Sequence, residues 1–398
     1  MPAEPRESAA AARRRQPSRL RRLARCTPLP LLVGCGALLT SCVVPPPVGR
    51  PPSSPPVSAV APRVLIDRAL PIPVTDRQGW VTDIDDAFLR LGIEPTREHI
   101  CAVVAVAEQE SGLHVDPVIP HLDVIAWHEI DSRAERAGVP KLVVHEVLQL
   151  KSPTGQTYAQ RIDTARTEKE LSDIFEDFTG SLPLGKSLFA SWNPIRTRGP
   201  MQVNVAFADR FVETKPYPYP VKVSVDDEVF TRRGSLYFGI AHLLAYSAPY
   251  DRYLYRFADY NAGQYSSRNA AFQNALSIAS GKSLVADGAL IPHSDDAGAP
   301  GETELVARSL AGRLNLSEAA IRAALEQGRA EDLESTTLYK RVFSLAEHAA
   351  GHRLPRAMLP SIQLQGPKIE RKLTTEWYAH RVDDRFEHCL SQLSQSQS

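Results

Sequence analysis

The chain has 398 residues, enough for one large domain or two ordinary ones, and 43% of them are apolar, enough for a substantial core. Its 46 basic residues balance 46 acidic ones, but residues 1–41 hold eight Arg and two Glu, so the remainder carries a charge of −6. A mildly acidic body gives no electrostatic case for nucleic-acid binding.

The first element is a leader. "RRRQPSRLRRLAR" is a positively charged n-region, and "PLPLLVGCGALL" is an apolar h-region too short to span a bilayer comfortably. Residues 1–41 therefore read as a secretory signal. The stretch closes with "LTSC", Leu39 to Cys42, which resembles a bacterial lipobox. That resemblance implies cleavage before Cys42 and a lipid on its thiol; the alternative is an ordinary signal peptide with a chance Cys. Val43 follows, where an Asp would mark inner-membrane retention, so the sorting rule points to an outer-membrane lipoprotein with its body in the periplasm.

Residues 42–74 are expected to be a tether. From Pro45 to Pro73 the chain is crowded with proline, a composition that reads as polyproline II. Some twenty such residues at ~3.1 Å each reach roughly 60 Å.

The folded body is expected from about residue 75, mainly α-helical. A helix over "TDIDDAFLRLG" has Thr82 or Asp83 as its cap and Gly92 as its stop. "EPTREHICAVVAVAEQES" follows with Thr96 as cap. Thr167 and Gly180 bracket a later helix, and Ser317 and Gly328 another. "RRGSLYFGIAHLLAYSA", "NAAFQNALSIASG" and "TTEWYAHRVDDRFEHCLSQL" also read as helices. The best strand candidate is "YPVKVSV" (219–225), with "VFT" beyond a "DDE" turn.

Five Cys are present. Cys26 and Cys35 leave with the signal and Cys42 takes the lipid, so Cys101 and Cys389 remain in an oxidising compartment. On a helical wheel with Tyr378 at zero, Cys389 falls at about 20°, among Val382, Phe386 and Leu393. They either bridge, pinning the last helix behind the helix of Cys101, or stay as two buried thiols.

The chemistry centres on "EQESGLHVDP", which follows the apolar run "ICAVVAV". With Val103 at zero, Ile100, Ala107 and Val106 define an apolar stripe, and Glu110 falls inside it at about −20°. Glu108 falls at about 140°, beside Cys101, and reads as a solvated acid. A carboxylate on a core-facing stripe is desolvated, which disfavours its charged form and suits a general acid. The alternative is a structural Glu paired with an Arg.

Four stretches, in order, resemble the motifs of lytic transglycosylases, the lysozyme-like enzymes that cut peptidoglycan. Glu110-Ser111-Gly112-Leu113 is similar to the E-S-x-hydrophobic signature. "NPIRTRGPMQVN" (193–204) is similar to the second motif through Gly199, Met201 and Gln202, with Asn193 where a Ser is usual and Pro200 in place of Leu. "GSLYFGIAHLLA" (234–245) resembles the third through Gly239 and Leu243 or Leu244, and "ADYNAG" (258–263) matches A-x-Y-N-A-G. The resemblance implies a lysozyme-like (goose-type) helical domain over 75–285, with an insert at about 118–190, and a helical extension, 286–398, packed on the same body. It implies Glu110 as general acid and base and Tyr260 as a residue that stabilises positive charge or hydrogen-bonds Glu110. Ser111, Asn193, Gln202 and Asn261 would bind the sugars, and the partner would be peptidoglycan glycan strands. The chain also resembles a family of bacterial lipoproteins described as a domain of unknown function.

No cofactor or metal is expected: "HEI" (128–130) and "HEV" (145–147) are not H-E-x-x-H, and no P-loop, Rossmann fingerprint or G-x-S-x-G elbow occurs. Two further functions remain open, the first of them favoured by Asn193, Pro200 and the insert. One is a lipoprotein that binds glycan or a peptide without cutting it. The other is an envelope assembly or uptake accessory with a protein partner.

The leader yields a direct test. Cys42→Ala is expected to move the protein from membrane fractions into the soluble periplasm; a variant that stays membrane-bound to the same extent points to another anchor.

Overall fold

The computed structural model describes residues 61–181, 193, 195–248, 250–292, 299–364 and 371–395. The leader, Cys42 and residues 43–60 of the expected tether lie outside the described residues. Among the described residues the chain is mainly helical, with a short antiparallel ladder pairing β1 (Thr197–Arg198) with β2 (Val203–Asn204). Apolar side chains gather in three clusters.

The first cluster starts earlier than expected. Helix α1 (Pro62–Ala69) lies inside the stretch expected to be tether, and it buries Ile66, Ala69 and Leu70. Pro62 stands at the first turn, where its missing N–H costs nothing and its fixed φ suits the helix. The body therefore begins at α1 rather than near residue 75. Helix α2 (Arg77–Leu91) is capped by Asp76, which accepts from the N–H of Gly79, not by Thr82 or Asp83. Asp83 is buried instead, bound by Arg232 at 2.7 Å and Arg233 at 3.3 Å. Gly92 ends α2 in the left-handed region, as expected.

Helix α3 (Arg97–Ser111) is capped by Thr96 and ends at Gly112, again left-handed. Every residue from Ile100 to Ala107 is buried, so this helix is apolar all round, wider than the single stripe on the wheel. Such a helix is a central one.

The insert forms the third cluster. Helices α4 (Leu122–Arg136), α5 (Lys141–Val147), α6 (Tyr158–Thr164) and α7 (Glu168–Ser181) bury Leu122, Tyr158, Ile162, Leu171 and Ile174 together with Ile195 and Phe230 of the following chain. Thr167 caps α7, whereas Gly180 sits inside it. Beyond the ladder come α8 (Val205–Thr214), α9 (Val225–Phe230), α10 (Arg232–Leu244), α11 (Tyr253–Ala262) and α12 (Ser266–Ser280).

Residues 219–225 form no strand. Pro218 and Pro220 have no N–H to give a ladder, and the "DDE" expected as a turn is the first turn of α9. Ser224 caps it by accepting from Asp227, and three carboxylates there suit the helix N-terminus.

The segment 286–398 divides. Helices α13 (Glu302–Ser309), α14 (Ala311–Leu314), α15 (Glu318–Glu326) and α16 (Thr337–Ala350) build the second cluster with Phe272 and Leu276 of α12. Helix α15 stops at Glu326, two residues before Gly328, because a 3-10 turn (Gln327–Arg329) takes over. The last helix, α17 (Thr375–Gln395), returns to the first cluster and buries Tyr378, Val382, Phe386, Cys389 and Leu393.

Helix α17 runs antiparallel to α3. Cys101 and Cys389 are joined by a disulfide with Cα atoms 5.6 Å apart, and Arg385 faces Glu108 at 3.3 Å. Glu108 is thus half-exposed and ion-paired. The disulfide closes a loop spanning 288 residues, for which the chain-entropy account gives up to about 5 kcal/mol. Replacing both Cys with Ala is expected to lower the unfolding midpoint. Thiol counting on the denatured, unreduced mature chain should find neither Cys101 nor Cys389 reactive.

Candidate functional site

Glu110 stands in the last turn of α3, half-buried, one turn beyond the fully buried run. The phenol of Tyr378 on α17 donates a hydrogen bond to Glu110 Oε1. Tyr260 on α11 also lies close enough to feel the charge of Glu110. Burial first, and that charge second, push both phenols well above the ordinary tyrosine pKa. Both hydroxyls therefore stay protonated donors. The Tyr260 hydroxyl donates to the backbone carbonyl of Met201 at 2.6 Å. The expected hydrogen bond to Glu110 is made by Tyr378, and Tyr260 holds the second-motif loop instead.

That loop reaches the site because glycines let it. A Cβ on Gly239 of α10 would sit 2.5 Å from the Met201 sulfur, so the fully buried Met201 occupies a notch that only Gly leaves open. Gly199 is left-handed, and a Cβ there would sit 2.2 Å from the Val229 carbonyl. The Met201 N–H donates to Ser235 Oγ at 3.0 Å.

The residues expected to bind sugars each already make hydrogen bonds within the protein. Ser111 is buried and its hydroxyl donates back to the Ala107 carbonyl at 3.0 Å, spent on its own helix. Gln202 accepts from the Thr197 hydroxyl at 2.9 Å and donates to Glu168 Oε2 of α7 at 3.0 Å. Asn193 donates to Ser172 Oγ of α7 at 3.0 Å and accepts from the Ile195 N–H at 2.9 Å. Asn261 accepts from the Thr375 hydroxyl at 2.7 Å, at the start of α17. Gln202 and Asn193 thus face the insert, and Asn261 faces the last helix.

Sequence reasoning missed three participants. Tyr378 was placed on the core side of its helix, but a wheel gives no partner 268 residues away. Glu168, in the first turn of α7, gives no local signal of its contact with Gln202. His242, inside the apolar "GIAHLLA", packs its ring 5.0 Å from that of Tyr260 and 4.6 Å from that of Phe207. Its Nε2 lies 3.2 Å from the Tyr260 carbonyl, and its buried Nδ1 has no hydrogen-bond partner among the described residues. Asp259, in the fourth motif, is fully buried. It accepts from Tyr246, Tyr250 and the N–H groups of Tyr265 and Ser267, which fixes the turn after Tyr260. Among the described residues no group of three or more His, Cys, Asp or Glu side chains could hold a metal ion, and no helix is long and apolar enough to cross a membrane.

The family described as "Protein of unknown function (DUF1615)" matches residues 73–392. The "Uncharacterized protein YaiW" of Escherichia coli (strain K12) is 51% identical over 328 residues, covering 82% of this chain and 89% of that protein. No solved structure matches the chain.

Burial lowers the pKa of His242 to about 4. A histidine depressed in the folded state leaves stability intact above its unfolded pKa of about 6.5 and loses it as pH falls toward the folded value. The expected loss across pH 6.5 to 4 is at most about 3 kcal/mol. Denaturant unfolding of the wild type and of His242→Gln at pH 7.5 and 4.5 checks this: the variant should show the smaller pH dependence.

Proposed function

The chain belongs to the DUF1615 family, and on that premise we propose that it is a lipid-anchored outer-membrane protein that cleaves peptidoglycan as a lytic transglycosylase. We read its first cluster as lysozyme-like. The observation that carries the proposal is the carboxylate of Glu110, at the end of a helix fully buried from Ile100 to Ala107, held by the phenol of Tyr378 beside the buried Tyr260.

The proposed chemistry needs one carboxyl group. Glu110 gives its proton to the glycosidic oxygen between N-acetylmuramic acid and N-acetylglucosamine as the C1–O bond breaks. The oxocarbenium-like state has the character common to glycosidases. The carboxylate then takes the proton of the muramoyl 6-hydroxyl as its oxygen bonds to C1. A 1,6-anhydro product results, no water is consumed, and Glu110 ends protonated. The attack is intramolecular, which removes most of its entropic cost. Tyr378 positions the carboxylate, and Tyr260 positions the Met201 backbone.

A second reading is favoured by a specific observation. Gln202 and Asn193 already spend their amides on the insert, which suits a protein that binds a glycan or peptide, or an envelope protein, without cutting it.

Digestion of purified sacculi, read as anhydro-muropeptides by mass spectrometry, separates the two. Glu110→Gln is expected to abolish product. Glu108→Gln should leave it nearly unchanged, because a half-exposed pair with Arg385 contributes at most about 1 kcal/mol. Tyr378→Phe should lower the rate about 10- to 100-fold and move the pH profile while the fold persists. Absence of product from the wild type, or retained product in Glu110→Gln, sinks the enzymatic assignment.

A further inference from the structure

Helix α7 has two faces. Leu171 and Ile174 are buried in the insert's own core, with Phe178 packed against it. Glu168, Ser172 and Glu176, spaced by four, share another face. Each meets one residue of the second-motif loop. Glu168 accepts from the Gln202 amide at 3.0 Å, Ser172 accepts from the Asn193 amide at 3.0 Å, and Glu176 lies 3.8 Å from the Arg198 guanidinium. Ser172 also donates to Glu176 at 3.2 Å.

The seam is well made at its N-terminal end and incomplete at the other. Arg198 is only 3% exposed, yet among the described residues its Nε and Nη1 have no hydrogen-bond partner, and its pair with Asp226 is as long as 3.9 Å. Its plane rests 4.7 Å over the Phe230 ring. Burial, with the nearby charge of Asp227, raises the pKa of Glu176, so this carboxylate is less settled than a closely paired one. A buried guanidinium with unfilled donors is a group waiting for an acceptor. Seams of hydrogen bonds, unlike apolar ones, exchange partners at small net cost, since each bond is worth little against hydration.

We infer that the α7 stripe is an internal ligand of this loop: Glu168, Ser172 and Glu176 hold the amides of Gln202 and Asn193 and the guanidinium of Arg198 in place of a hydroxyl- and carboxylate-bearing glycan, which binds by displacing them. This rests on the glycan reading above. Acetamido and hydroxyl oxygens of the strand would accept from the two amides, and a muramoyl carboxylate would fill the Arg198 donors. Ile195 and Phe230, packed into the insert's core, keep the insert attached while its polar stripe lets go.

The test uses the mature full-length chain carrying Glu110→Gln, so that strands are not cut, and soluble glycan strands freed of stem peptides by amidase. Amide exchange within 168–181 is expected to speed up by about tenfold when strands bind. Adding Glu168→Ala and Ser172→Ala should tighten strand binding by about tenfold. Strand binding that leaves exchange in 168–181 unchanged or slower, or a stripe variant that binds no better, overturns the inference alone. No strand binding by either chain overturns the glycan reading and the inference with it. The exchange measurement needs no stripe variant, so a misfolded variant does not protect the idea.

Discussion

Everything near Glu110 depends on the pairing of α3 with α17. Helix α3 is buried all round along its middle, so it can neither slide nor rotate without exposing Ile100 to Ala107. Helix α17, from the far end of the chain, lies against it and is fixed at several points. The Cys101–Cys389 bridge holds one end, Arg385 meets Glu108 further along, and Tyr378 reaches Glu110 at the other. Thr375, fully buried, bonds to Asn261, the residue after Tyr260. The first turn of α17 thus ties α3 and α11 together where the proton chemistry would occur. A loop this long costs only slowly more entropy to close than a short one, so distance in sequence is a weak obstacle.

The other two clusters attach to that frame partly by polar contacts. The insert meets the second-motif loop through the α7 stripe, with Ile195 and Phe230 as its apolar pins. The second cluster meets it at the turn from α11 to α12, where Asp259 accepts from the N–H of Ser267 and the Ser267 hydroxyl donates to the Tyr255 carbonyl; within that cluster the buried Arg268 donates to the carbonyls of Gly328 and Ala330 and to Asn269. A buried charge is tolerated only when its donors are used. Arg268 satisfies this requirement better than Arg198 does, which separates a structural arginine from one with unused donors.

Local signals in the sequence were legible where they act locally. Thr96, Thr167 and Ser317 cap the helices they were expected to cap, and Gly92 ends its helix as expected, because a cap needs only its own few neighbouring residues. Misreadings occurred where two rules compete. Proline density around residue 62 argued for an extended tether, yet one proline at a first turn starts α1. "YPVKVSV" alternates like a strand, yet Ser224 and the following acids start α9. The wheel of α17 gave the correct buried face, but a wheel cannot say what lies across it. Tyr378 was therefore known to be inside without being known to meet Glu110. The division of 286–398 between two cores was hidden for the same reason.

The four motif-like stretches separate by what their side chains touch. Gly199, Gly239 and Met201 are required by packing: the loop can lie on α10 only if those positions are small or fill that notch. Asp259 is spent on its own turn, Ser111 on its own helix, and Asn261 on Thr375. A pattern kept by such constraints specifies a fold and carries no chemistry by itself. A neighbour that stays a donor favours the ionised form of a carboxyl group, the form that would take the 6-hydroxyl proton. Tyr260 is such a donor, but its hydrogen bond goes to the Met201 carbonyl. Tyr378, which lies in none of the motif-like stretches, is the phenol that donates to Glu110. The chemical case therefore rests on a contact between two helices that the motifs do not include, and the motif residues serve to bring the loop and α11 up to it.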